Sequence, residues 1–236
     1  MSSTAALAVV LVVLVAVNLW VHLGPPRLQL VTGPLAALVL LLVARGAGLT
    51  WEQLGLARDD LLPGVIYGGV AAGSVAVAYL AAVAIPSTRG AFRDTRYRIG
   101  PGAALLVALV TIPLTTVLFE EIAFRSVLWG LLAHDFGTSV ATGVTAALFG
   151  IWHVLPALKL MQTNIALADD RGASGSRALL TVLGTVAFTA AAGLVLAELR
   201  RRSGSVLAPA GLHWATNGLG ALAAARVWAL TSRRAG

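Results

Sequence analysis

The sequence predicts an all-α polytopic transmembrane helix bundle of about seven to eight spans, built as a single membrane-embedded domain over 1–236. Three observations predict it. Apolar residues make up 58% of the chain and charged ones 11%, a balance that belongs to membrane proteins rather than to soluble cores. The apolar residues fall in runs long enough to cross the hydrocarbon layer as helix. The net charge of +7 is carried by 16 Arg and a single Lys, and in a multispanning chain such an excess marks cytoplasmic loops drawn to anionic lipid. No arginine run is interleaved with aromatics for base stacking, so nucleic acid is not an expected partner. The chain has no cysteine, which excludes disulfide scaffolds, thiolate zinc sites and cysteine nucleophiles.

Thr4–Leu23 is the first expected span, nearly all Ala, Val and Leu. It lacks a basic stretch ahead of the apolar run, so it is expected to be retained rather than cleaved as a signal peptide. Trp20 and His22 near its end fit an interfacial anchor and a solvated histidine. Gly24-Pro25-Pro26-Arg27 predicts a turn. Leu30–Ala44 is the second span, with Pro34 in its first turns. Arg45–Asp60 is a polar connection, within which Leu49–Leu56 predicts a short surface helix capped by Thr50. Leu61–Ile85 is the third span, and its Gly64/Gly68 and Gly69/Gly73 spacings predict close helix packing.

Pro86–Pro101 holds Arg89, Arg93, Arg96 and Arg98 against Asp94, the densest basic loop. Gly102–Phe119 is the fourth span, with a kink expected at Pro113. It runs directly into a pair of glutamates, so the helix is long, broken or re-entrant. Ser139–Leu155 is the fifth span. Lys159–Arg177 is a polar loop, whose Asp169-Asp170 pair sits in a Gly/Ser-rich solvated setting rather than a catalytic one. Ala178–Ala197 is the sixth span, followed by Arg200-Arg201-Arg202. Val206–Leu222 is the seventh, and Leu219–Leu230 is either its end or a short eighth helix. Arg233-Arg234 forms a basic tail. With seven spans, the Pro86–Pro101 loop and the C-terminus share the basic, cytoplasmic side, while the triple arginine falls on the other.

The sequence is organised around Leu118–Arg125, which sets Glu120, Glu121 and Arg125 between the uncharged runs Pro101–Leu118 and Ser126–Ala133. Charges inside an apolar helix are costly and point to a polar cavity. Glu121 and Arg125 are four apart and can pair on one face. Glu120 lies about 100° away and five residues from Arg125, so it is expected to stay unpaired, as a general base requires. The plainer alternative is a buried Glu–Arg clamp that only fixes packing. Two further polar groups stand in separate apolar segments, His153 in one and His213 with Asn217, four residues on, in another. Pro209, four residues before His213, is expected to loosen the helix there.

Together these groups support hydrolysis. Glu120 would take a proton from water, His153 would share that water or bind a metal that holds it, and His213 and Asn217 would donate to an oxyanion. Two imidazoles and a carboxylate would suit zinc with one open position, and the spacing leaves a zinc-dependent and a metal-free scheme both open. There is no HExxH helix signature and no Gly-x-Ser-x-Gly elbow.

Glu120-Glu121-x-x-x-Arg125, Phe149-x-x-x-His153 and His213-x-x-x-Asn217 resemble the three motifs of the CPBP (CAAX protease and bacteriocin-processing, or Abi) intramembrane proteases, a family that includes the type II CAAX prenyl endopeptidase. Gly204–Pro209 also resembles the lead-in to the third motif. The resemblance covers about 111–218. Ser126 stands where the family often has Gly, a change expected to touch packing more than activity. The resemblance implies that Glu120 activates water beside His153, that His213 and Asn217 stabilise the oxyanion, and that Glu121 and Arg125 organise the site or bind substrate. It implies endoproteolysis of a protein or peptide at the bilayer. The Lys-poor, Arg-rich composition suggests a bacterial cell membrane, so the prenylated substrate of the eukaryotic branch is not carried over. Two rival classes use the same buried groups: a proton-coupled transporter, against which the absence of paired broken-helix repeats counts, and an inactive scaffold, against which the full motif set counts.

Overall fold

A computed structural model describes residues 1–24, 28–163 and 175–232, and among these described residues the chain forms eight helices. They are α1 (Ser3–Leu23), α2 (Gln29–Gly46), α3 (Leu61–Ala84), α4 (Pro101–Phe136), α5 (Thr138–Trp152), α6 (Val154–Thr163), α7 (Gly175–Ser203) and α8 (207–232). No strand occurs among the described residues. Six stretches among the described residues are long and apolar enough to cross a membrane: one in each of α1, α2, α3, α4 and α7, and one, Thr138–Lys159, that runs through α5 into α6. The expected seventh span falls on α8, whose hydropathy is lowered by His213, Asn217 and Arg226. Pro25 to Arg27 of the expected turn, the Asp169-Asp170 pair and the Arg233-Arg234 tail lie outside the described residues.

The outer surface is apolar, with Val12, Leu62, Val70, Val77, Leu80 and Phe188 each at least two-thirds exposed. That arrangement suits a lipid environment. The centre is α4, in which every residue from 119 to 132 is buried. Helices α1 and α2 lay Val10, Leu14 and Leu40 against its Phe119, Ile122 and Leu128. Gly102–Phe119 is the first half of one continuous helix, the long form among the three that the sequence leaves open. Pro113 does not break it. The turns on either side widen, so that Ile112 donates to Val107 O and Leu118 to Pro113 O, each five residues back.

The two ends of the bundle are fixed by hydrogen bonds to backbone carbonyls. At one end the Met1 ammonium donates to Gly46 O at 2.8 Å, and Val206 N to Gly55 O at 3.0 Å. At the other, Trp228 Nε1 donates to Asp94 O at 2.8 Å, with Arg93 and Arg98 over the Trp228 ring. The basic 86–100 loop and the triple arginine thus lie at opposite ends, as the seven-span reading expects. Arg201 and Arg202 share Glu198, while Arg200 is buried and donates to Glu52 O and Gln53 O. The single Glu198 thus offsets one of the two exposed arginine charges, and the Arg200 charge is turned inward.

Local expectations are corrected in three places. Residues 50–56 form one capped turn rather than a surface helix. Thr50 Oγ1 accepts from Gln53 N and Gln53 Oε1 from Thr50 N, and Leu49 and Leu54 are buried in the core. Pro209 sits in the first turn of α8, where a missing N–H costs no helical bond. Of the glycine pairs in α3, Gly64 and Gly68 meet α8, whereas Gly69 and Gly73 face open space.

That difference is testable. A Cβ at Gly211 would meet Gly68 Cα at 2.8 Å and Gly68 O at 2.9 Å, both backbone. Gly211→Ala is expected to cost about 1–3 kcal/mol by overpacking. Gly69→Ala is expected to stay within about 0.5 kcal/mol of the parent. Unfolding curves in detergent micelles check both, and equal stability of the two variants would contradict the packing.

Candidate active site

Glu120 and Glu121 lie on the stretch of α4 that is buried on all sides, which is why two adjacent carboxylates can both be enclosed. Residues 121–128 again take widened turns, and Trp129 donates to Phe124 O five residues back. Such turns are frequent at functional sites because they re-aim side chains within a helix.

Glu121 Oε1 receives two donors. Arg125 Nη1 lies at 3.2 Å and His213 Nδ1, from α8, at 2.7 Å. The Arg125 guanidinium is 1% exposed and sits 3.9 Å above the centre of the Phe149 ring, which adds a cation–π contact. His213 packs edge-to-face on the same ring. Glu121, Arg125, Phe149 and His213 thus tie α4, α5 and α8 together. The expected i,i+4 pair is present, and it is extended by a histidine.

Glu120 has a different environment. Its Oε1 accepts from Trp152 Nε1 at 3.0 Å. Its Oε2 is buried without a hydrogen-bond partner and lies 3.7 Å from His213 Nε2, beyond bonding distance. Glu120 also lines a cavity of about 490 Å³, whose wall includes His22, Tyr97, Trp152, His153 and Asn217. The Asn217 side chain makes no hydrogen bond among the described residues. His153 caps α5, and its Nδ1 lies 2.7 Å from Phe149 O. A carbonyl only accepts, so Nδ1 carries the proton and Nε2 of the neutral ring keeps its lone pair. Burial pushes the Tyr97 phenol above its ordinary range, so it remains an O–H donor.

Glu120, His153 and Asn217 therefore share one cavity wall. Glu121, Arg125 and His213 do not line the cavity but stand behind Glu120. His22 is half-buried rather than solvated. Its Nδ1 donates to Asn18 O at 2.8 Å, and its ring lines the same cavity. Trp152 escaped the sequence reading, although an indole N–H inside an apolar span must find an acceptor and thus signals one nearby. Ser126 is fully buried and donates to Leu54 O at 2.7 Å, so the hydroxyl ties α4 to the 50–56 turn where a glycine would offer no such bond.

Among the described residues no three His, Asp or Glu side chains gather as a metal-holding group. The Nδ1 of His213 is bonded to Glu121 and its Nε2 lies 3.7 Å from Glu120 Oε2, and the two imidazoles and the carboxylate of the zinc set are not drawn together among the described residues.

A family model described as type II CAAX prenyl endopeptidase Rce1-like matches residues 102–219. No curated protein and no solved structure matches the chain.

Proposed function

Because the chain belongs to the type II CAAX prenyl endopeptidase Rce1-like family, and is thereby an intramembrane endopeptidase in the general sense, we propose that Glu120 is its water-activating base. The observation that supports this is Glu120 itself: its Oε2 is a buried carboxylate oxygen with no hydrogen-bond partner, and the residue lies in the wall of a cavity that also holds His153 and Asn217. Water in the cavity gives its proton to Oε2 and attacks the scissile carbonyl. His153 Nε2 accepts from the same water and orients it. Asn217 Nδ2 donates to the developing oxyanion. For His213 to donate as well, its Nε2 must carry a proton alongside the Nδ1–H bound to Glu121, so that role belongs to the doubly protonated ring. Glu120 then returns its proton to the leaving amine, which completes hydrolysis.

Glu121 and Arg125 organise the site by holding His213. The substrate is a protein or peptide at the bilayer, and the location we propose is a bacterial cell membrane, supported by 16 Arg against one Lys and the basic 86–100 loop. No step runs through a metal, because the donor groups are not gathered as ligands.

The test is cleavage of a quenched-fluorescence peptide library by protein reconstituted in liposomes. Asn217→Ala is expected to lower kcat roughly 10²–10³-fold, as loss of one oxyanion donor does. Proteolysis is expected to persist in a chelator titration, and activity lost to chelation and restored by zinc would overturn the metal-free scheme. Proton flux without cleavage would favour a transporter instead.

A further inference from the structure

The hydrogen bond from Trp152 to Glu120 has no part in the chemistry above, yet it decides how the carboxylate is presented. The terminal torsion of a glutamate is broad, and its two oxygens are interchangeable unless one is tied. Trp152 ties Oε1 at 3.0 Å, which leaves Oε2 as the untied oxygen. The indole is itself held on several sides. The Phe119 and Phe124 ring centres each lie 5.7 Å away, and the residue is only 9% exposed. Its backbone carbonyl, one of the unpaired acceptors at the end of α5, receives Asn18 Nδ2 of α1 at 3.0 Å. Asn18 O in turn accepts from His22.

Resting on the reading of Glu120 as base, we propose that Trp152 is a positioning residue that fixes the carboxylate plane so that only Oε2 meets the water. Asn18 on α1, outside the matched 102–219 segment, supports it. The first helix thereby becomes part of the catalytic apparatus rather than an anchor alone. The relay runs from Asn18 through the Trp152 backbone and indole to Glu120, and each link is a hydrogen bond of 3.0 Å or a covalent connection.

Trp152→Phe keeps an aromatic ring between Phe119 and Phe124 but removes the N–H together with part of the ring volume. It is expected to lower kcat about 10–100-fold through misplacement of the base, with KM within about twofold and a melting temperature that is lowered but leaves the protein folded under assay conditions. Asn18→Ala is expected to shift kcat in the same direction by less. An unchanged kcat in Trp152→Phe, or a raised KM at unchanged kcat, overturns the positioning role.

A second measurement does not depend on activity or on the Phe variant folding. In ¹⁵N-labelled protein, the Trp152 indole N–H resonance is expected to move upfield in Glu120→Ala as its acceptor disappears. A resonance that stays put overturns the inference while leaving the base role intact. Full proteolysis in Glu120→Ala removes the base role itself, even where the resonance has moved.

Discussion

Glu120→Gln is expected to slow peptide hydrolysis by roughly 10²–10⁴-fold, the contribution typical of a general base, while the protein stays folded. Glutamine has nearly the shape of glutamate, and its carbonyl oxygen can still accept from Trp152 Nε1. What it cannot do is take a proton from water. The substitution also removes a buried charge that has no cation bonded to it: the ring nitrogen on its free side, His213 Nε2, lies 3.7 Å away. Melting is therefore expected to be unchanged or slightly higher, since a poorly compensated buried ion opposes folding. The checks are single-turnover cleavage in liposomes and thermal unfolding of the same preparation. Activity within about tenfold of the parent would reject Glu120 as the base, whatever its effect on stability.

Arg125→Met is expected to have the largest effect on stability, about 3–5 kcal/mol, because it strands a buried carboxylate. Arg125 is 1% exposed and Glu121 2%, so water cannot take over the lost bond at 3.2 Å. Methionine fills much of the volume above Phe149 but brings no charge. His213, bonded to the same Oε1 at 2.7 Å, would be left as Glu121's sole bonded partner and would shift, so activity should fall with stability. Glu121→Gln in the Arg125→Met background is expected to recover part of the loss, since the stranded charge is gone. A double-mutant cycle from denaturant unfolding in mixed micelles measures that coupling. Additive effects of the two substitutions would mean that the pair contributes nothing as a pair.

The structure agrees with the sequence at several features set by local spacing or by counting spans. The Glu121–Arg125 pair follows from a four-residue spacing on any helix, and the widened turns of residues 121–128 did not remove it. The cap at Thr50 follows from a Thr followed three residues later by Gln. The placement of the basic loop and the triple arginine at opposite ends follows from counting apolar runs. Reading Gly64/Gly68 and Gly69/Gly73 as equivalent failed, because spacing says which residues share a face but not which face meets a neighbour. His22 was read as solvated for the same reason: its position near the end of a span is local, whereas the cavity it lines is made by other helices.

By itself the sequence determined that this is a helical membrane protein, because stretches of some twenty apolar residues have no other way to satisfy their backbone in lipid. It also determined the set of polar residues rare enough in such stretches to be functional. Only the tertiary structure decided how they divide. Both glutamates lie on one buried helix. Glu121 is bonded to a cation and a histidine, while Glu120 is left with an indole on one oxygen and nothing on the other. The reason is that partners for a buried charge come from across the bundle, from Trp152 on α5 and His213 on α8, and distances between helices are set by packing, which spacing along one chain does not encode.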